Sequence, residues 1–216
     1  MSDKHVLFVL LDQYADWEAA PLAAVVNQSA GWRVRTVAPD KAPIRSLGGL
    51  TAMPDLTVSE ALESEFAGVA LIGGLSWRTE TAGTVEPLVR LALDRRAVLG
   101  AICDATVFLG TLGALNGAPH TSNMLDDLKN YAGQGYSGAE HYQQRQAVRS
   151  GRLITANGAA AMDFAREMLA ALEVMTEEDA GKWYRLFKFG FYEAPEEGLW
   201  WFTRMEQQKK FLEKIS

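Results

Sequence analysis

Short apolar runs that alternate with helical patterns constrain the fold of this chain most strongly. Residues 5–11 (HVLFVLL), 69–72 (VALI) and 97–102 (AVLGAI) are brief and free of acidic residues, lysine and arginine, which is typical of strands buried on both faces. Helical spacing of apolar residues lies between these runs, at residues 16–29 and 85–95. A regular succession of strand and helix predicts an α/β fold, in which helices cover both faces of a mostly parallel sheet.

The carboxyl-terminal part of the chain follows two different patterns. Residues 146–156 predict two strands that turn at Ser150-Gly151, and residues 158–172 predict a long helix. Beyond residue 175 aromatic residues become frequent, with nine between Trp183 and Phe202. We therefore expect an α/β domain over residues 1–175 and a helical, aromatic-rich extension over residues 176–216. These aromatic residues could cap the main core, fill a dimer interface or wall a substrate pocket.

Composition and motifs disfavour several classes of protein. The chain has 21 Lys and Arg against 27 Asp and Glu, and its basic residues are scattered, so we expect no nucleic-acid partner. No apolar run approaches the ~18 residues of a membrane span, and no signal-peptide pattern opens the sequence, so we expect a cytoplasmic protein without a membrane partner. Metal-ligand spacings, Walker loops and dinucleotide-binding glycine motifs are absent from the sequence, so we expect neither a metal nor a nucleotide cofactor.

Cys103 is the single cysteine of the chain, which excludes an internal disulfide and a four-cysteine zinc site. It follows a predicted buried strand, and residues 106–112 fit a helix that begins immediately after the cysteine. A turn of this kind exposes a nucleophile. The amino terminus of that helix would lower the thiol pKa from about 8.5. An ionised Asp104 would raise the thiol pKa. The alternative interpretation is that Cys103 is a small buried apolar residue.

A pair of glycines ends the preceding predicted strand. Because parallel strands end at the same edge of a sheet, Gly73 and Gly74 are expected near Cys103. The backbone amide of Gly74 or of Leu75, together with that of Asp104, could form an oxyanion hole. Gly73 is also a candidate for the pocket wall, as is Trp77.

Acidic residues follow the first predicted strand at the same edge. One of Asp12, Asp16 and Glu18 could hydrogen-bond the thiol or carry protons for it, although the ordinary role of a carboxylate at a helix start is capping. Asp16 is also a candidate for the pocket wall. His120 follows the cysteine along the chain and could return to this edge, although a lone histidine is more often structural.

The ordered set of motifs resembles the ThiJ/PfpI superfamily, within the class I glutamine amidotransferase-like fold and its intracellular protease/amidase branch. The resemblance covers about residues 4–175. The residues that carry it are Asp16 with Glu18, Gly73 with Gly74, Ala101-Ile102-Cys103, His120 with Thr121, and a glycine-led helix from Gly158. It implies a flavodoxin-like three-layer sandwich that is usually dimeric. It also implies that Cys103 is the nucleophile, Glu18 its acidic partner, Gly74 and Asp104 the oxyanion donors, and His120 a catalytic neighbour.

The sequence departs from two subgroups of this superfamily. PfpI-type sequences have a histidine directly after the cysteine, where this chain has Asp104, and the His-x-Glu pair of glutamine amidotransferases is absent. Glutamine amidotransferase activity is therefore not expected. One hypothesis is a cysteine-dependent enzyme, hydrolase-like or glyoxalase-like, that acts on a small carbonyl or amide substrate. The alternatives are a non-catalytic stress-response or redox-sensing protein with an oxidisable cysteine, and a dimeric binding module.

Overall fold

The computed structural model describes the backbone of residues 3–215 and the side chains of residues 3–206. The chain forms two compact units, one up to Val174 and one from Met175. The strands of the first unit are β1 Lys4–Val9, β2 Trp32–Ala38, β3 Ile44–Arg45, β4 Thr51–Ala52, β5 Leu56–Thr57, β6 Gly68–Leu71, β7 Val98–Ile102, β8 Ala147–Ser150 and β9 Leu153–Ala156. The helices of the chain are α1 Asp16–Gln28, α2 Val58–Leu62, α3 Glu86–Asp94, α4 Asp104–Thr111, α5 Leu125–Ala132, α6 Ala161–Ala171, α7 Glu177–Phe189 and α8 Pro195–Ile215.

The central sheet confirms the predicted flavodoxin-like α/β architecture. Its seven strands lie in the order β5-β2-β1-β6-β7-β9-β8, and only the edge pair β8–β9 is antiparallel. Strands β6 and β7 are buried along their whole length, which explains why their sequences are continuous apolar runs. The strands β1, β6 and β7 are neighbours, so the loops that follow their carboxyl ends meet at one edge of the sheet.

Helices cover both faces of the sheet. On one face lie α1 and α6, which contact each other, and α2, α3, α4 and α5 pack on the other. The absence of a side chain at Gly100 of β7 lets α6 approach closely, since a Cβ there would lie 2.8 Å from the Phe164 ring. Burial of a two-sided apolar core holds these layers together.

The first unit confirms one predicted helix start and contains one helix that was not predicted. Helix α4 begins at Asp104, directly after Cys103, which confirms the prediction of a helix that starts immediately after the cysteine. Helix α5 was not predicted, because its short sequence LDDLKNYA buries only Leu128 and Ala132. Residues 44–52 contain a small hairpin, the antiparallel pair β3–β4.

The second unit is helical and contains an aromatic cluster. The Thr176 hydroxyl caps α7 by accepting a hydrogen bond from the Asp179 amide at 3.1 Å. Phe187 stacks on Trp183 and meets Trp201 edge to face, with ring centroids 5.2 and 5.3 Å apart. The roles predicted for these aromatic residues stay predictions. Among the described residues of the whole chain, no helix combines the length and the apolar character that crossing a membrane requires.

Candidate active site

Cys103 occupies a strained backbone conformation between β7 and α4. Its φ is 59° and its ψ is −133°, a region that non-glycine residues seldom adopt. The Cys103 amide donates to the Ala156 carbonyl at 3.0 Å, and the Cys103 carbonyl accepts from the amide and the hydroxyl of Thr106 at 3.0 and 2.6 Å. Strand β9 and the first turn of α4 therefore hold the strained turn, which leaves the side chain half-buried at the helix amino terminus.

Glu18, in the first turn of α1, directs its side chain toward the cysteine. The residue is fully buried, and its Oε2 accepts a hydrogen bond from the Gly73 amide at 2.9 Å. Its Oε1 is buried without a partner in hydrogen-bonding geometry among the described residues. Gly73 must lack a side chain here, because a Cβ would lie 2.5 Å from the Cys103 Cβ. The glycine thus allows a buried carboxyl group to lie beside the cysteine.

Gly158 closes the space in front of these two groups. A Cβ at Gly158 would lie 2.8 Å from the Cys103 Sγ and 3.2 Å from the Glu18 Oε1. The sulfur and the unpartnered oxygen therefore face the same narrow gap. The sequence analysis identifies Gly158 only as the start of a helix. The run of small residues that begins at Gly158 was the sequence signal for a close approach to the cysteine.

Burial dominates the ionisation of both groups. It raises the pKa of Glu18 to about 7, which Asp104 reinforces, while the Gly73 amide and the nearby Cys103 thiol oppose the rise. Burial also raises the pKa of Cys103, and an ionised Glu18 raises it further, against smaller opposing contributions from Asn123 and the Asp104 amide. The lowered thiol pKa expected from the helix terminus is therefore outweighed. Near neutral pH the pair retains at least one proton.

The other two acidic residues of the α1 segment hold the β3–β4 hairpin. The Asp12 carboxylate accepts a hydrogen bond from the Arg45 amide at 3.1 Å. The Asp16 carboxylate accepts from the Ser46 hydroxyl and from the Gly48 amide. Of the three carboxylates predicted as partners of the thiol, Glu18 is the one that the fold brings to Cys103.

Asp104, which follows Cys103 directly, is paired with an arginine that the sequence patterns did not single out. The guanidinium of Arg78 donates to both oxygens of Asp104, at 2.6 and 2.9 Å, and to both oxygens of Asp127, at 2.6 and 3.0 Å. Arg78 lowers the pKa of Asp127, because the cation favours the ionised carboxylate. The residues are far apart in sequence, so no local pattern signalled this cluster.

Asn123, which was also not predicted from the sequence, connects the sulfur to its surroundings. Its Nδ2 donates to the Cys103 Sγ at 3.4 Å and to the Asp104 carboxylate at 3.3 Å. Its Oδ1 accepts from the Gly158 amide at 2.8 Å. Asn123 lies three residues after His120, and this proximity to the His-Thr motif was the only sequence signal.

Two predicted site residues make their contacts elsewhere. His120 is fully buried, and its ring nitrogens hydrogen-bond the Ala118 carbonyl and the Tyr136 hydroxyl, each at 2.7 Å. Burial lowers the pKa of His120, which favours its neutral form. Trp77 is buried and packs against Phe108, with ring centroids 5.2 Å apart, so its side chain belongs to the core.

The backbone hydrogen bonds around Gly74 distinguish between the Gly74 and Leu75 amides as oxyanion donors. The Leu75 amide donates to the Gln13 carbonyl at 3.3 Å, whereas no described residue accepts from the Gly74 amide. The φ of Gly74 is +151°, and a Cβ there would lie 2.5 Å from the Gln13 oxygen, so the turn requires glycine. Of the two amides proposed beside Asp104, only that of Gly74 is available.

Comparison with known proteins identifies the relatives of this chain. The family model described as the DJ-1/PfpI family matches residues 4–171. The chain belongs to the DJ-1/PfpI family. It is 35% identical over 190 residues to the "uncharacterized protease" YdeA of Bacillus subtilis (strain 168), and the alignment covers 88% of this chain and 93% of that protein. A second protein of the same strain with the same description, YoaZ, is 33% identical over 195 residues, covering 87% and 92%.

Solved structures of DJ-1/PfpI proteins share the fold. A DJ-1 superfamily protein from Agrobacterium tumefaciens is 34% identical with a TM-score of 0.78, covering 85% of this chain and 97% of that one. A thiJ/pfpI family protein from Bacillus anthracis is 31% identical with a TM-score of 0.79, covering 87% and 92%.

A cleft of about 900 Å³ opens beside Asn123 in this DJ-1/PfpI chain. Its lining is largely polar and includes Tyr142, Arg145, Gln146 and Asn157. The asparagine that contacts the sulfur therefore also borders a space large enough for a small molecule. Within the described residues, no group of three or more His, Cys, Asp or Glu side chains is arranged to hold a metal ion.

Proposed function

We propose that this protein is a cysteine-dependent enzyme that acts on small carbonyl compounds, specifically 2-oxoaldehydes such as methylglyoxal, with Cys103 as the nucleophile. The observation that carries the proposal is the Glu18 carboxyl group. It is fully buried, and its unpartnered Oε1 faces the same gap as the sulfur of a strained cysteine. A carboxyl group with a pKa near 7 can both give and take a proton at neutral pH, as general acid–base catalysis requires.

The first step is the addition of sulfur to the aldehyde carbon. The thiol proton passes to Glu18, and the thiolate forms an S–C bond while the π electrons of the carbonyl move onto its oxygen. The amides of Gly74 and Asp104 donate hydrogen bonds to this oxygen. Glu18 then returns its proton to the oxygen, which completes a hemithioacetal on Cys103.

The second step moves a proton along the substrate. The Glu18 carboxylate takes the hydrogen of the former aldehyde carbon as a proton and delivers it to the neighbouring carbon. The hydroxyl proton on the former aldehyde oxygen passes to the oxygen of the neighbouring carbon, so the product is the thioester of a 2-hydroxy acid. The former aldehyde carbon is oxidised and its neighbour reduced, so no external oxidant is needed. Water then hydrolyses the resulting thioester, which releases a 2-hydroxy acid and restores the Cys103 thiol.

The position of His120 favours a carbonyl substrate over an amide. Amide hydrolysis by a cysteine ordinarily uses a histidine that takes the thiol proton and delivers it to the leaving amine. Both ring nitrogens of His120 are occupied by Ala118 and Tyr136. Glu18 is the acid–base group beside the sulfur, and isomerisation of a 2-oxoaldehyde requires no departing amine.

The test compares the purified wild-type protein with Cys103→Ser on methylglyoxal and on a panel of small amides. We expect the wild type to form lactate and the variant to lose at least about a thousandfold in rate, because serine is a far weaker nucleophile without an activating base. Thermal unfolding of both proteins controls for folding. Equal lactate formation by the two proteins, or wild-type turnover of amides alone, would contradict the proposal.

A second candidate function is redox sensing, and the isolation of Cys103 favours it. The side chain is half-buried and the chain has no second cysteine, so a sulfenic acid formed by peroxide has no resolving thiol within the chain. A second peroxide would oxidise it to sulfinic acid, with one water formed for each oxygen transferred, and protonated Glu18 would donate a hydrogen bond to it. Intact-mass measurement after mild peroxide tests this role: a protein that gains no two-oxygen adduct at Cys103 is not such a sensor.

A further inference from the structure

Asp104 lies directly after the cysteine and is an unfavourable neighbour for a thiolate. An ionised carboxylate at this position raises the pKa of Cys103 and opposes the favourable dipole of α4. A chain that depends on Cys103 therefore needs a means of counteracting this charge.

The guanidinium of Arg78 is placed to do so. It engages both oxygens of Asp104 and both oxygens of Asp127, which fixes its plane between two carboxylates. The guanidinium carbon lies over the Tyr131 ring, 5.1 Å from the ring centroid, in a cation–π contact. The Asp104 side chain is 14% exposed and that of Arg78 is 33% exposed, so solvent screens this pair only partly.

Asn123 links the Asp104 carboxylate to the Cys103 sulfur. One amide nitrogen, Nδ2, serves both the Cys103 sulfur and the Asp104 carboxylate. When Arg78 satisfies both oxygens of Asp104, the carboxylate is held toward the arginine and competes less for this nitrogen. Among the described residues, Glu18 of α1 and Asp104 of α4 are the charged groups that raise the pKa of the thiol. Arg78 joins Asp104 to Asp127 of α5.

We propose that Arg78 is a positioning residue that neutralises the Asp104 carboxylate and holds it in place, so that Cys103 stays reactive beside an acidic neighbour. The inference deepens the proposed function, since the thiolate is the form that attacks a carbonyl. Its test nevertheless reads the thiol directly and requires no substrate.

The experiment measures alkylation of Cys103 by iodoacetamide from about pH 6 to about pH 10, where the thiolate is the reacting form. Because Cys103 is the only cysteine, the rate reports on it alone. We expect Arg78→Met to react about fivefold more slowly near pH 7, because an uncompensated carboxylate disfavours the thiolate by about 1 kcal/mol. The double variant Arg78→Met/Asp104→Asn should return to within about twofold of the wild type, since it removes cation and anion together.

Arg90→Met is the matched control, because Arg90 is an exposed arginine of α3 that pairs with Glu86, and its alkylation rate should equal that of the wild type. A wild-type rate in Arg78→Met, or a double variant as slow as the single one, would overturn the proposal. If Arg78→Met does not fold, Arg78→Gln decides, because it keeps a hydrogen-bond donor for Asp104 and removes the charge: alkylation about fivefold slower than in the wild type supports the proposal, and the wild-type rate overturns it.

The outcomes for Arg78 and for the proposed function are separable. A wild-type protein that fails to convert methylglyoxal, but whose variants show the expected alkylation pattern, contradicts the proposed function and supports the role of Arg78. Cysteine-dependent turnover of methylglyoxal with unchanged alkylation in Arg78→Met supports the proposed function and contradicts the role of Arg78.

Discussion

Two carboxyl groups near the Cys103 sulfur lie in contrasting environments, and we call the surroundings of Glu18 the inner side and those of Asp104 and Asn123 the outer side. On the inner side Glu18 is fully buried and receives one backbone hydrogen bond, and no cation of a described residue lowers its pKa, so burial raises the pKa to about 7. On the outer side both oxygens of Asp104 are held by Arg78. In the proposed function, the carboxyl group on one side is an exchangeable proton donor. In the role proposed for Arg78, the carboxyl group on the other side is a neutralised charge. Environment, more than residue type, decides which carboxyl can take part in proton transfer.

The largest effect that this contrast predicts is that of Glu18→Gln. Glutamine keeps the shape of the side chain but cannot exchange a proton, so we expect methylglyoxal turnover to fall by about a thousandfold. Alkylation of Cys103 should become faster in the same variant, because the carboxylate that raises the thiol pKa is gone. Parallel measurement of both rates checks the prediction.

Asp16→Asn provides the control for Glu18→Gln, because Asp16 belongs to the same turn of α1 but binds the hairpin. Its turnover should stay within a few-fold of the wild type. Equal losses of methylglyoxal turnover in the two variants, or slower alkylation in Glu18→Gln, would contradict the role proposed for Glu18.

The raised pKa of Glu18 also predicts a pH dependence of stability. The folded state keeps the proton up to about pH 7, whereas the unfolded chain releases it near pH 4.5, so the folded state binds more protons between these values. The stability from this group is fully present below about pH 4.5 and is lost as the pH rises toward 7, by about 3 kcal/mol. Urea unfolding of wild type and Glu18→Gln across this range checks the difference.

The pH-dependent difference between these two proteins is the decisive quantity, because other titrating groups contribute equally to both. A difference in the free energy of unfolding that stays constant from pH 4.5 to 7 would show that Glu18 is ionised in the folded protein.

Gly158→Ala tests the narrow gap on the inner side. The added methyl group would lie 2.8 Å from Sγ and 3.2 Å from the Glu18 Oε1, so we expect turnover and alkylation to fall about tenfold while the protein stays folded. Gly83→Ala is the matched control, since no atom lies within 4 Å of its added Cβ, and both rates should be unchanged. Wild-type rates in Gly158→Ala would mean that the gap is not used.

The smallest expected effect is that of Asn123→Ala on the alkylation rate of Cys103. The hydrogen bond from Asn123 to the sulfur lowers the thiol pKa. Asn123→Ala removes this hydrogen bond, so the thiol pKa should rise and alkylation near pH 7 should slow about threefold. Asn130→Ala, an exposed asparagine in α5, should alkylate at the wild-type rate. An Asn123→Ala variant that reacts faster than the wild type would reverse the role assigned to this residue.

Local sequence patterns predicted most of the fold and part of the site. The apolar runs that became β1, β6 and β7 were recognised because burial on both faces excludes polar residues from them. The position of Cys103 after β7 was predicted for the same reason, since strand ends are visible in the apolar pattern. Helix α5 was missed, because so short and polar a segment is shaped by its packing and not by its own periodicity.

By itself the sequence determined that an α/β sheet would bring Cys103, Gly73 and the acidic segment after β1 to one edge. Only the tertiary structure decided that Glu18 faces the sulfur while Asp16 holds the hairpin, that His120 hydrogen-bonds elsewhere, and that Asn123 and Arg78 complete the site. The physical reason is the separation along the chain between the residues that interact. Strand and helix patterns arise between residues close in sequence, whereas the Arg78 contacts join residues 26 and 49 positions apart, and side-chain pKa values depend on burial that exists only after the layers have packed.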